Sequence, residues 1–181
     1  MWNSHIRVHM LAFPGLGKAY RTDHKVLKDI AYALCSTYAK NMRLSGILYL
    51  HRITSSTFNS TYWRSLDVLK ALCGPQSFQA ITFVAISWEQ IDEPTSSTRE
   101  NELKNTTEFF RGNLVPNGSY TEMSFANRDS AIAIIEPIIK RQKTFVLDLQ
   151  KQFVDEGLDL GETVMGLLVA QSARILAAMD D

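Results

Sequence analysis

An α/β layer fold is what this sequence predicts, on three observations. Two short continuous apolar runs, Gly46-Ile47-Leu48-Tyr49-Leu50 and Ala80-Ile81-Thr82-Phe83-Val84-Ala85-Ile86, have the length and density of strands buried on both faces of a parallel sheet. Between them Tyr62, Leu66, Leu69 and Leu72 recur at helical spacing. After the second run the pattern ends in a long amphipathic, helical tail, and strand-helix alternation followed by helices is the signature of layered α/β packing.

Taken in order, Ile6-Arg7-Val8-His9-Met10-Leu11-Ala12-Phe13-Pro14-Gly15 is strand-like and ends in a turn, with the strand itself placed at Arg7 to Leu11. Asp23 is positioned to cap a helix that carries Val26, Leu27, Ile30, Ala31, Leu34 and Tyr38 on one face and ends near Asn41. His51 and Arg52 fall at the carboxyl end of the first buried run, and Thr54 to Ser60 is a polar loop. The Tyr62 to Leu72 stripe stops at Cys73-Gly74-Pro75, a helix-ending signal. Pro94 to Thr98 is a loop, Arg99 to Arg111 a polar helix, and Asn113 to Ser119 a turn with Pro116 and Gly118. Thr121 to Phe125 is a weaker strand. Asn127 or Asp129 starts a helix through Ala131 to Ile135 that kinks or ends around Pro137. Thr144 to Asp155 and Glu162 to Met179 complete the helical tail, dividing the chain into an α/β part, 1–141, and carboxyl-terminal helices, 142–181.

At 181 residues, 45% of them apolar, the chain is long enough for one domain with its own core. Lysine plus arginine equals aspartate plus glutamate at 19 each, so no net field draws it to nucleic acid or an anionic membrane. Cys35 and Cys73 lack CxxC spacing and lie in apolar helical stretches, which fits reduced core thiols in a cytoplasmic protein. No signal-like amino terminus and no run near the ~18 apolar residues of a membrane span is present. Three Asn-x-Ser/Thr matches, at Asn59, Asn105 and Asn117, read as chance occurrences in polar loops.

Leu44-Ser45-Gly46-Ile47-Leu48-Tyr49-Leu50-His51-Arg52-Ile53, then Leu72-Cys73-Gly74, then Leu149-Gln150 with Val154-Asp155-Glu156-Gly157 and Glu162-Thr163, resemble fungal G-domain proteins related to the septins, the immunity-associated GTPases and the chloroplast import receptors. The resemblance covers nearly the whole chain. It implies a three-layer P-loop NTPase-like sheet lacking its first strands, with the phosphate-binding loop lying amino-terminal to Met1. It also implies that Phe13-Pro14-Gly15 is the third guanine-nucleotide motif, with Ala12 where the relatives carry a magnesium-shell carboxylate. The relatives' Thr-Thr-x-Trp becomes Ala85-Ile86-Ser87-Trp88, which retains only the tryptophan. Pro14, Gly15 and Trp88 are thus vestigial nucleotide-binding positions, and Arg21, Asp23, His51 and Arg52 are switch or interface contacts. No catalytic residue, metal ligand or cofactor is expected. The alternative is a GTP-binding hydrolase, using GTP or GDP and magnesium, complete only in a longer product or with a partner.

Gly15-Leu16-Gly17-Lys18 looks like half of a phosphate loop, but Ala12 stands where its first glycine belongs and Ala19 replaces the magnesium hydroxyl, so it reads as a turn between strand and helix. His51 and Arg52 lie where ligands sit in open α/β sheets, and serve either a contact role or a structural bridge to loop backbone. No second titratable group is spaced to make His51 part of a catalytic pair. His5, His9, His24 and His51 are scattered without metal-ligand spacing. Asp155, Glu156, Asp159 and Glu162 form a solvated acidic connection, with weak calcium binding as its other reading. Trp63, Trp88, Phe109 and Phe110 read as packing aromatics rather than a stacking platform.

In GTPases of this type the first strand lies between those placed here at Arg7 to Leu11 and Ile47 to Leu50. Its absence predicts a gap or a directly re-paired sheet, and with it a homodimer or a protein partner that fills the slot. Leu167, Leu168, Ala170, Ala173, Ile175 and Leu176 leave the last helix apolar around much of its circumference, suited to cover the exposed face or to pair with another molecule.

Overall fold

The computed structural model describes residues 7–16, 22–52, 60–87, 120–123 and 127–177, with the single positions 90, 92, 94, 95 and 98. The first helix, α1 (Asp23–Ala39), starts on Thr22, whose hydroxyl accepts from the Lys25 N–H at 3.4 Å, so Asp23 is the first helical residue rather than the cap. It buries Val26, Leu27, Ala31, Leu34 and Cys35. Strand β1 (Ile47–Arg52) follows, then α2 (Ser60–Cys73), which ends where Gly74 takes a φ of 70°. A short 3-10 turn over Pro75–Ala80 leads into β2 (Ile81–Ile86), and the last strand is β3 (Tyr120–Met123).

The three strands form one parallel sheet in the order β1-β2-β3, with Ile47 opposite Ile81, Leu50 opposite Val84 and Thr82 opposite Tyr120. Residues 81–85 of the central strand are all buried, as a continuous apolar run on a doubly covered sheet requires. Ile81, Phe83 and Ala85 face the core that α1 and α2 close with Leu27, Leu34, Leu66 and Leu72. The chain is therefore a mixed α/β protein built on a small parallel sheet.

Two further expectations need correction. Residues 7–15 form no strand, and Val8, Met10, Leu11 and Phe13 are exposed; apolar alternation supplies the faces of a strand, but a strand exists only where another pairs with it, and none of the described strands does. The helix α3 (Arg128–Lys140), capped by the Asn127 side chain accepting from the Ser130 N–H at 2.8 Å, carries Pro137 in its last turn and ends at Lys140. Ala133 and Pro137 both lie on the exposed side, so the carbonyl that the proline leaves without a donor faces water. Against the second expectation, residues 144–155 are not one amphipathic helix. Phe145, Leu147 and Leu149 are buried in alternation, and the Phe145 N–H donates to the Leu44 carbonyl at 2.8 Å in an antiparallel bridge. Only Asp148–Gln150 makes an α turn, widening into a π turn over Lys151–Asp155. Beyond it α4 (Val164–Ala177) places Met165 in the same core as Leu147 and Leu149.

The expected polar helix at Arg99 to Arg111, the loop from Thr54 and the turn at Asn113 to Ser119 lie outside the described residues. No described helix is long and apolar enough to cross a membrane.

Candidate functional site

At the carboxyl end of β1, the parallel strand sets His51 on the face that carries Tyr49 and leaves Arg52 exposed. Helix α2 lies against that face. The Tyr49 hydroxyl is 2.6 Å from Ser65 Oγ, and Ser65 Oγ donates to the Tyr62 carbonyl at 2.8 Å, so Tyr49 is the donor of the pair. The His51 ring meets Tyr62 edge-on at 5.2 Å, and Tyr62 in turn meets Trp63 at 5.4 Å. Tyr49 makes the same kind of contact with Phe83 of β2 at 5.5 Å. Such edge-to-face contacts set the negative face of one ring against the positive edge of the next.

Burial pushes both phenols upward. For Tyr49 the Ser65 hydroxyl, which can turn to donate to the phenolate, works against that shift, and for Tyr62 repulsion between its phenolate and that of Tyr49 adds to it. Neither phenol ionises near neutral pH, so neither offers a base or a nucleophile there. The thiols are no more reactive: burial raises Cys35 to about 11 and Cys73 to about 12.

Asp23, in the first turn of α1, forms an ion pair with Arg64 of α2. Their side chains are 22% and 25% exposed, and the Arg64 Nε is buried without a hydrogen-bond partner among the described residues. Asp23 and His51 are thus both engaged by the first two turns of α2, through Arg64 and Tyr62, two positions apart and so on different sides of the helix. Pro14 and Gly15 take no part. Pro14 is half-buried, and a Cβ added to the exposed Gly15 would meet nothing within 4 Å, so among the described residues no cradle closes around this backbone. Arg21 and Trp88 lie outside the described residues, as do Gly17 and Lys18.

Arg64 is the residue that sequence reasoning missed. Its only local signal is a cation set among the apolar positions of α2; its partner stands 41 positions away. Elsewhere, an open groove of about 550 Å³ lies between α2 and α4, lined by Asp67, Lys70, Val164, Leu167 and Gln171. The carboxylates at the end of the π turn and beyond it are engaged within the chain: Asp155 accepts from the Tyr38 hydroxyl of α1 at 2.8 Å, and Glu162 accepts from the Asp159 N–H at 2.9 Å. Among the described residues no three potential metal ligands gather. No family model, curated protein or solved structure matches the chain.

Proposed function

We propose that this chain is a non-catalytic interaction module built on a degenerate GTPase-like domain of the septin and immunity-associated kind. One observation carries the reading: at the carboxyl edge of the parallel sheet, where Arg52 is exposed, the described polar groups beside it are engaged with the protein itself. His51 packs on Tyr62, Asp23 pairs with Arg64, and Tyr49 donates to Ser65. That edge is where an open α/β sheet ordinarily binds its ligand, and here it is occupied by an aromatic column and an ion pair. The resemblance to G-domain proteins rests above all on the Tyr49-Leu50-His51-Arg52-Ile53 block and on Leu72-Cys73-Gly74. Within the 181 residues no Gly-x-x-x-x-Gly-Lys-Ser/Thr run stands to nest a triphosphate.

Calorimetric titration of this 181-residue protein with GTP and GDP in magnesium tests the proposal. The expected result is no binding tighter than about 10 μM, which is worth roughly 7 kcal/mol. Saturable binding below that concentration, or magnesium-dependent phosphate release, overturns it.

A further inference from the structure

We infer that two copies of this chain pair by exchanging amino-terminal arms, residues 7–13 of each lying as an added parallel strand along the outer edge of the other's β1. The inference rests on the interaction-module reading and names its partner.

Two halves of one ladder, each without a strand partner among the described residues, are displayed on a single molecule. The first is the sheet edge. β1 borders β2 on one side, and among the described residues no strand lies on the other. Leu50 on this strand is 60% exposed, while Val84, directly opposite it in β2, is 2% exposed, so the sheet face these two share is covered over β2 and bare over β1. A parallel strand with no described neighbour on one side, and a leucine bare on its face for an added strand's side chains to cover, is a template for strand addition.

The second half is the arm. Val8, Met10, Leu11 and Phe13 are 40%, 67%, 52% and 36% exposed, four large apolar side chains within six residues, and a run of that density in solvent marks an interaction surface. Leu16 packs partly against the core and anchors the arm at its base. Seven residues span roughly 23 Å as a strand, against roughly 20 Å for the six of β1.

The arm makes no ladder with its own sheet, so each copy keeps one strand to give and one edge to receive. A two-fold axis satisfies both at once, since an isologous contact repeats each exchange. Charge chooses the direction. An antiparallel arm would set Arg7 beside Arg52, whereas a parallel arm places Arg7 at the Ile47 end and the apolar Phe13 near Arg52. Parallel addition also continues the sense of the existing sheet.

Sedimentation velocity on the full chain from 1 to about 100 μM, a range that covers weak isologous dimers, reads the exchange directly. The wild type is expected to dimerise. Met10→Pro, which removes an amide from the arm, and Leu50→Lys, at an exposed position of the edge, are each expected to raise the dimer dissociation constant at least about tenfold. At a concentration low enough for the wild type to be monomeric, the far-UV circular dichroism of Met10→Pro should match it, because that residue belongs to no described element of the single chain. A wild type that stays monomeric throughout overturns the inference, as does a dimer indifferent to Met10→Pro. A monomer whose melting temperature drops with Met10→Pro shows the arm pairing with its own β1, and overturns exchange as well. Nucleotide titration is a separate readout, so a monomer that ignores GTP defeats arm exchange alone.

Discussion

Asp23 and Arg64 show how a single contact ties two helices that the chain separates by a strand and a loop. At about a quarter exposure for each side chain the pair sits between the surface case, where an ion pair contributes next to nothing, and the buried case, where removing one partner strands the other charge. Arg64→Ala should therefore destabilise the protein by about 1–3 kcal/mol, and Asp23→Ala by a similar amount. Urea unfolding of both single variants and the double variant checks this. A coupling near 1 kcal/mol is expected, and a cycle that closes to zero would mean the two side chains act independently. The same residues mark how far sequence reading reaches at this scale. Asp23 and His51 could be placed, at a helix start and a strand end, because those positions follow from local periodicity. Their partners Arg64 and Tyr62 could not, because which side of α2 faces α1 and which faces β1 depends on how the layers dock.

Among the elements, the legible ones are those whose burial is uniform. The run Ile81 to Ala85 is buried residue by residue, and its density alone marks a central strand. Gly74, at φ 70°, ends α2 where the Cys73-Gly74-Pro75 signal places the stop. The segment before α4 misled because its apolar residues suit two periods. Leu147 and Val154, seven apart, fit a helical stripe, yet Phe145, Leu147 and Leu149 are the ones buried, two apart, in a segment bridged to Leu44. Gln150 holds that segment to α1. Its Nε2 donates to the Leu34 carbonyl at 2.9 Å, and its Oε1 accepts from the Leu147 N–H at 3.0 Å, with the residue 1% exposed. Gln150→Ala leaves the Leu147 amide buried without its acceptor and removes a cross-segment bond. The expected cost is about 2–4 kcal/mol. Hydrogen exchange is the sharper check: the Leu147 amide should lose its protection in the variant at a urea concentration where α2 keeps its own.

For the whole molecule, one core joins α1, α2, β2 and the carboxyl-terminal segment, and it contains both cysteines. Tyr49 and Tyr62 pack at its margin. All four groups are pushed toward their protonated, neutral forms by burial, Cys35 to about 11 and Cys73 to about 12 from 9.0. The unfolded chain gives up its thiol protons near pH 9, while the folded chain keeps them, so above that point the unfolded state binds fewer protons and stability must fall as pH rises. Below pH 9 both states hold these protons and the four groups contribute no slope. Between about pH 9 and pH 11 each buried thiol adds up to ~1.4 kcal/mol of destabilisation per pH unit. Urea unfolding at pH 7.5, 8.5 and about 10 should show little change over the first interval and a marked loss over the second. Cys73→Ala separates this from general alkaline damage: its lost volume lowers stability at every pH by an amount set by the cavity, but its slope above pH 9 should be shallower than that of the wild type. Parallel curves for the two proteins would show that the Cys73 thiol ionises as readily in the folded core as in the open chain.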